Sequence, residues 1–273
     1  MAATIYIGCA GWSLRKEHGD LFSNCGSHLE RYATRFNAVE INSSFYRPHR
    51  LATYDRWAAS TPPTFRFAVK LPKQITHLNR LLASTDAIAR FASETGGLRA
   101  KLGVVLVQLP PSLAFDGDVA TAFFQQLTAA FRCPIVYEPR HSSWFEPSAE
   151  AVLAEHRIGR VAADPPATPA AAMPLTANGL VYYRWHGSPQ VYYSSYDRGA
   201  LVDLSQRLTR SITDSLDAWI IFDNTALGAA TLNALDLRNQ LRSVADGNHI
   251  DAGTPGAEAR STKSGTTVTS IGN

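Results

Sequence analysis

The sequence contains little cysteine, no strong excess of one charge and no long apolar run. Its 273 residues include only three cysteines, Cys9, Cys25 and Cys133, and no CxxC pair, which excludes a zinc knuckle and a disulfide framework. No apolar run approaches the roughly 18 residues that a membrane-spanning helix needs. The net charge of +3 is too small to indicate nucleic-acid binding by itself.

The same features predict where the protein works. The first residues, MAATIYIGCAGW, lack the basic segment that begins a secretory signal. The scarcity of cysteine fits a reducing compartment. We therefore expect a cytoplasmic protein without membrane contact. Nothing in the sequence sets its oligomeric state.

Composition divides the chain into two parts. Hydrophobic residues make up 45% of it, enough to build a full core and to exclude intrinsic disorder. Residues 244–273 are different, because they are rich in Gly, Ser and Thr and contain no aromatic residue. We expect a single domain over residues 1–243 and a flexible low-complexity tail over residues 244–273.

Short apolar runs alternate with helical patterns along the first 243 residues. The predicted strands are Thr4–Cys9, Ala38–Asn42, Phe65–Lys70, Leu102–Gln108, Pro134–Glu138, Ile158–Asp164, Leu180–His186 and Ala218–Asp223. The predicted helices are Ser27–Phe36, Thr53–Ser60, Ser84–Leu98, Gly117–Phe131, Pro147–His156, Asp197–Ile212 and Thr225–Arg242. Eight strand–helix units of this total length predict a closed (β/α)₈ TIM barrel, and an open doubly wound sheet is the alternative. Pro165–Gly179 contains too much proline for a helix, so we expect an irregular sixth unit.

Polar side chains collect where the predicted strands end. In a barrel, alternate residues point inward, and catalytic groups lie at the carboxyl ends of the strands. The inward positions at these ends are Glu40, Asn42, Lys70, Gln108, Glu138, Arg140, Arg184 and His186. This pattern predicts a functional site at the carboxyl-terminal end of the barrel, and the alternative is a structural network of ion pairs.

Seven motifs carry a resemblance to a known family. They are GCAGW (8–12), VEINSSFYR (39–47), KLPKQITH (70–77), LVQLPPS (106–112), YEPRHSSW (137–144), RWHGS (184–188) and FDNT (222–225). Their order resembles that of the YecE-like family, a domain-of-unknown-function family of TIM barrels. The resemblance implies the barrel fold but no reaction. Two features depart from the family pattern: Asp20-Leu21-Phe22-Ser23 replaces an aromatic–proline stretch, and Asp223 stands where Asn is commoner.

The charged residues of these strand ends can be given chemical roles. Glu40 and Glu138 are candidates for general acid and base, if their surroundings separate their pKa values. His186 is the candidate proton carrier, because it shares the inward face with Arg184. A positive charge at Lys70 would stabilise a developing negative charge.

A second set of residues is predicted to bind substrate. Asn224 and Thr225 follow the last strand, where many barrels hold phosphate, and the alternative is that they only cap the next helix. Trp12 and Tyr46 could stack on a sugar ring or a base. The complete predicted set is Trp12, Asn42, Tyr46, His77, Gln108, Arg140, His141, Arg184, Asn224 and Thr225.

These roles lead to three functional hypotheses. The first is an acid–base enzyme, a hydrolase or an isomerase, that acts on a small or polymeric anionic substrate containing a sugar or a base. The second is a non-catalytic module that binds nucleic acid or another anion. The third is a metal-dependent phosphodiester hydrolase, in which a divalent metal could bind the histidines and a carboxylate: His77, His141 and His186 with Glu40, Glu138 or Asp164. We predict no cofactor and assign no metal ligand.

Overall fold

The computed structural model describes residues 3–214 and 216–245. Its strands are β1 Ile5–Cys9, β2 Ala38–Ile41, β3 Arg66–Lys70, β4 Leu102–Gln108, β5 Ile135–Glu138, β6 Gly159–Arg160, β7 Ala162–Asp164, β8 Leu180–Trp185 and β9 Asp217–Phe222. Its α-helices are α1 His28–Ala33, α2 Leu51–Ala59, α3 Thr85–Thr95, α4 Gly117–Ala130, α5 Pro147–Glu155, α6 Arg198–Thr213 and α7 Ala229–Ala245. Helix α7 extends past the predicted domain boundary at residue 243, and the rest of the predicted tail lies outside the described residues.

Side-chain caps define where several of the helices begin. Asp116 accepts a hydrogen bond from the Val119 amide at the start of α4, and Asp197 does the same for Ala200 at the start of α6. Ser27 and Glu30 form a reciprocal capping box at α1. Each cap satisfies amides that the first helical turn leaves without a partner.

The strands form two parallel sheets, in the orders β1-β9-β8-β7 and β2-β3-β4-β5-β6. At one junction, Ala10 and Glu40 form an isolated parallel bridge, and the Gly11 amide donates to Glu40 O at 2.9 Å. At the other junction, Val161 separates β6 from β7 and donates to Tyr137 O at 2.9 Å. The predicted α/β class is confirmed in a TIM-barrel-like arrangement, but the regular ladders do not make one continuous closed sheet.

The sixth unit departs from the strand–helix pattern. Its strand is divided at Val161, and a 3₁₀ turn, Pro169–Ala172, follows it in place of an α-helix. Proline lacks the amide that a helix interior requires, which accounts for the short turn. Among the residues described, no helix is both long and apolar enough to cross a membrane.

Two apolar clusters build the core. The larger cluster lies between the strands and the helices. The smaller one joins inward-facing residues of the strands: Ala38, Ala68, Val104, Leu106, Val136, Val161, Leu180, Tyr182, Trp219 and Ile221. Because side chains of a strand alternate between its two faces, the residue two positions further along also points inward. The inner apolar cluster therefore determines which residues meet at the carboxyl ends.

Candidate functional site

A layer of polar residues lies two positions beyond the inner apolar cluster. Ala38, Ala68, Leu106, Val136, Tyr182 and Ile221 are followed at that spacing by Glu40, Lys70, Gln108, Glu138, Arg184 and Asp223. We call these last six residues the polar layer. Five of them are buried, and Gln108 is partly exposed. Burial of this many charges requires that they neutralise one another.

Arg184 is the centre of the polar layer. Its Nη2 lies 2.7 Å from Glu40 Oε1 and 2.9 Å from Asp223 Oδ2, and its Nη1 lies 3.1 Å from Glu138 Oε2. Burial alone would lower the pKa of Arg184, but the three carboxylates hold it well above its ordinary value. The guanidinium therefore stays charged and fixes the positions of the acidic groups.

Glu138 and Asp223 stay ionised at neutral pH. Burial would raise the pKa of Glu138, but His186 and Arg140 lower it well below its usual range. Burial would likewise raise the pKa of Asp223, but Arg184, His186 and Lys70 together outweigh that effect and lower it. Neither carboxyl group is therefore held in the protonated form that a general acid needs.

Glu40 uses both of its oxygens within the protein. Arg184 Nε donates to Oε2 at 2.9 Å, and Tyr182 OH donates to the same oxygen at 3.2 Å. The side chain is fully buried. These contacts favour a role in holding Arg184, and the predicted role of Glu40 in acid–base chemistry stays a prediction.

His186 lies between two carboxylates. Its Nδ1 is 3.0 Å from Asp223 Oδ2, and its Nε2 is 2.9 Å from Glu138 Oε1. Arg140 Nη2 also lies 2.9 Å from Nε2. A carboxylate only accepts and a guanidinium only donates, so Nε2 has a partner whether or not it carries a proton. The ring can therefore gain or lose a proton without losing a hydrogen bond.

Arg140 and Gln108 complete the surroundings of Glu138. Arg140 Nη2 forms an ion pair with Glu138 Oε1, and its side chain keeps 21% of its surface exposed. Gln108 Nε2 lies 3.4 Å from Glu138 Oε2. Arg140 is thus a cation of the site that also faces solvent.

Lys70 differs from the other cations of the site because it has no ionic partner in the part of the chain that the structure describes. Among the residues described, Nζ forms no hydrogen bond and no ion pair within 4.0 Å, and it lies 4.2 Å from the centre of the Phe45 ring. Burial, together with the charge of Arg184, lowers the pKa of Lys70 to about 8, although the carboxylates partly oppose this. About a tenth of the amine is therefore unprotonated at pH 7, far more than for a lysine of ordinary pKa.

Other predicted residues lie at the rim. His77 contacts the Phe45 ring edge-on at 4.9 Å, and burial and the charge of Lys70 lower its pKa. Tyr46 is 67% exposed, and the buried Oδ1 of Asn42 has no hydrogen-bond partner among the described residues. Trp12 packs edge-on against an α2 tryptophan at 4.9 Å.

His141 acts locally. Its Nδ1 accepts from the Ser143 amide at 3.3 Å, which caps the short 3₁₀ turn Ser142–Phe145. Among the described residues, no group of three or more His, Cys, Asp or Glu side chains is placed to hold a metal ion. The histidines suggested as metal ligands are therefore not brought together as such a group.

The segment after β9 differs from its prediction. The helix predicted from Thr225 begins at Ala229, because Gly228 has a φ of 83° that no α-helix contains. Asn224 does not cap it: its Nδ2 donates to Ser194 O and to Asn233 Oδ1, both at 2.9 Å. Thr225 is exposed and lines a cavity of about 330 Å³.

Sequence reasoning assigned no role at this site to Asp223 or Tyr182. Asp223 contacts both Arg184 and His186, and Tyr182 donates to Glu40. The exposed ring of Tyr192 lies 6.0 Å from the His186 ring. Asp223 could have been found, since it follows the inward-facing Ile221 at the two-residue spacing of the other strands.

Comparison with known proteins agrees with the motif pattern. The chain is 30% identical to UPF0759 protein YecE of Escherichia coli (strain K12) over 148 residues, which cover 54% of this chain and 52% of YecE. The match thus spans about half the length of that relative. It is 25% identical to UPF0759 protein YunF of Bacillus subtilis (strain 168) over 262 residues, covering 84% of this chain and 92% of YunF.

Solved structures support the fold. A DUF72 family protein from Enterococcus faecalis V583 superposes with a TM-score of 0.73 at 24% identity, covering 88% of this chain and 96% of that one. Another, from Thermotoga maritima MSB8, gives 0.72 at 22% identity, covering 88% and 99%. The family described as "Protein of unknown function DUF72" matches residues 6–257. The resemblance to YecE-like proteins is confirmed, and the chain belongs to the DUF72 family.

Proposed function

We propose that this protein is an acid–base enzyme of the isomerase type, which moves a proton at a carbon next to a carbonyl group. Its substrate would be a small anionic sugar-like compound bound at the carboxyl ends of the strands. For this function the two sheets would form the halves of one closed barrel. The Ala10–Glu40 bridge and the shared strand through Val161 support that view.

The surroundings of His186 carry the proposal. Nδ1 faces Asp223, and Nε2 lies 2.9 Å from both Glu138 Oε1 and Arg140 Nη2. A carboxylate on one ring nitrogen orients the histidine, and the other nitrogen has a hydrogen-bond partner both with and without its proton. Such a histidine is suited to transfer protons. This arrangement is more specific than ion pairing requires, because Arg184 already contacts each carboxylate.

Isomerisation fits the carboxylates better than glycoside hydrolysis. Inverting and retaining hydrolases both need one carboxylic acid in its protonated form. Here the pKa values of Glu138 and Asp223 are lowered by their cationic neighbours. We therefore assign proton transfer to His186, and the orientation of its ring to the carboxylates.

Two cations favour an anionic substrate. The Arg140 guanidinium pairs with Glu138 but stays partly exposed, and Lys70 has no ionic partner among the described residues. A phosphate or carboxylate of a substrate could bind the exposed face of Arg140. The exposed ring of Tyr192, beside His186, is the side chain that such a substrate would meet on approach.

Solvent deuterium exchange followed by proton NMR tests this function. Ribose 5-phosphate, dihydroxyacetone phosphate and pyruvate are suitable probes, because each has an anionic group and a C–H next to a carbonyl. At least one probe is expected to exchange faster with the protein than in buffer. His186→Asn should abolish the excess rate, and Arg132→Met, at an exposed position, should retain it. Exchange at the buffer rate for all three probes, or an excess that survives His186→Asn, overturns the proposal.

The other hypotheses stay predictions. Binding of nucleic acid, metal-dependent phosphodiester hydrolysis and a cytoplasmic location each rest on sequence reasoning. Among the described contacts, no specific observation favours either alternative activity over proton transfer.

A further inference from the structure

Among the described residues, two lysines are buried or partly buried, Lys70 and Lys101, and their surroundings are opposite. Lys101 Nζ donates to Ala58 O and Thr61 O, both at 2.6 Å, and to Thr61 Oγ1 at 3.1 Å, so its three protons all have acceptors. Lys70 Nζ makes no such bond with any described residue, although three carboxylates belong to its layer. The Lys101 ammonium group is therefore held in place by three acceptors, whereas the Lys70 amine has none among the described residues.

The carboxylates near Lys70 are already used by other cations. Glu40 and Asp223 bind Arg184, and Glu138 binds Arg184 and Arg140. The groups that face the Lys70 amine are thus a fixed guanidinium, the engaged carboxylates, His77 and the apolar ring of Phe45. Burial beside another cation is an environment that activates a lysine amine as a nucleophile.

The Lys70 amine also keeps contact with solvent. The residue is 5% exposed, and Nζ, which has no partner among the described residues, is not one of the fully enclosed polar atoms that lack a partner. A small molecule that displaces this solvent would meet the amine directly.

We propose that Lys70 is a covalent nucleophile that forms an imine with the carbonyl carbon of an aldehyde or ketone substrate. The inference rests on the proposed function and narrows it, because an imine acidifies the neighbouring C–H that His186 would deprotonate. The nitrogen lone pair forms the C–N bond, and the carbonyl oxygen takes a proton to give a carbinolamine. Loss of one water then gives the imine, so no oxidant or reductant is consumed. Hydrolysis by water returns the free amine and the carbonyl product.

Reductive trapping with glyoxylate tests the inference. Glyoxylate is an anionic aldehyde that has no C–H group next to its carbonyl carbon. It therefore reports imine formation separately from proton transfer at carbon. The full chain is incubated with glyoxylate and cyanoborohydride at pH 7, and modified lysines are located by peptide mass mapping. Because the pKa of Lys70 is about 8, it should be labelled at least about tenfold faster than the exposed Lys73.

The labelling rate of each lysine is measured in the wild-type chain, so the result can be interpreted even if a variant fails to fold. Lys70→Met should remove the fast-labelled site, and the matched Lys73→Met should leave it unchanged. Labelling of Lys70 no faster than that of Lys73, or selective labelling of Lys101, overturns the inference. If trapping fails while deuterium exchange still depends on His186, the imine is wrong and the proposed proton transfer stands. If trapping succeeds without exchange, the nucleophile stands and the isomerase function is wrong.

Discussion

Asp223 Oδ2 lies 3.0 Å from His186 Nδ1, although 37 residues separate the two in the chain. The same oxygen lies 2.9 Å from Arg184 Nη2. Asp223 therefore links the cation that neutralises the polar layer to the ring that we propose moves the proton. The same carboxylate oxygen thus contributes both to charge neutralisation in the polar layer and to the orientation of the His186 ring.

Arg184 should be one of the most important residues for stability. Its replacement by Met leaves Glu40, Glu138 and Asp223 buried without their shared cation. We expect Arg184→Met to lower the free energy of unfolding by about 3–5 kcal/mol in urea titrations.

The exposed pair Arg15–Glu17 provides the control. Arg15→Met should change the free energy of unfolding by no more than about 1 kcal/mol. A comparably small effect of Arg184→Met would mean that the carboxylates do not depend on this cation.

The lowered pKa of Lys70 makes its effect on stability depend on pH. An unfolded lysine keeps its proton up to about pH 10.4, whereas folded Lys70 loses it near pH 8. Between these values the unfolded chain binds more protons, so the wild type gains stability as the pH rises. Lys70→Met lacks this gain.

Urea unfolding of both proteins from pH 7 to pH 10 measures the difference. Lys70→Met should be the more stable protein at pH 7, and the wild type should recover on the order of 3 kcal/mol relative to it by pH 10. Lys73→Met should show no such trend. A difference between wild type and Lys70→Met that does not change with pH would contradict the assigned surroundings of Lys70.

Gly8, at the first family-like motif, allows β1 to approach β2 closely. A Cβ atom at this position would overlap Ala38 O and lie 3.0 Å from Tyr32 OH, which itself bridges Cys9 N and Ala38 O. We expect Gly8→Ala to cost at least about 2 kcal/mol in thermal or urea unfolding. Gly19→Ala is the matched control, because beyond its chain neighbours no heavy atom of the described residues lies within 4 Å of the added Cβ. Equal stability of the two variants would show that β1 can move away from Ala38 at little cost.

Much of the site could be predicted because strands have a simple two-residue period. The inward positions of Glu40, Glu138 and Arg184 follow from apolar neighbours two residues earlier, and the structure brings these side chains into contact. The carboxyl-terminal ends of parallel strands lie on one side of a sheet, so residues far apart in the chain could be expected to converge.

The remaining features depend on contacts that a single sequence does not contain. Whether Asp223 reaches Arg184 depends on the register of β8 with β9. In that register Arg184 pairs with Ile221, two residues before Asp223. The start of α7 depends on the positive φ of Gly228 and on the hydrogen bond between Asn224 and Asn233. Both are tertiary effects that override local capping preferences.

The orientation of His186 by Asp223 can be measured without any substrate. Nitrogen-15 NMR of the histidine side chains distinguishes the two neutral tautomers, and the His186 signals are those missing from His186→Asn. Because Asp223 accepts from Nδ1, the neutral ring should carry its proton on Nδ1, and Nε2 should be the unprotonated nitrogen. Asp223→Asn should weaken that preference. A neutral His186 with its proton on Nε2 would contradict the proposed proton carrier.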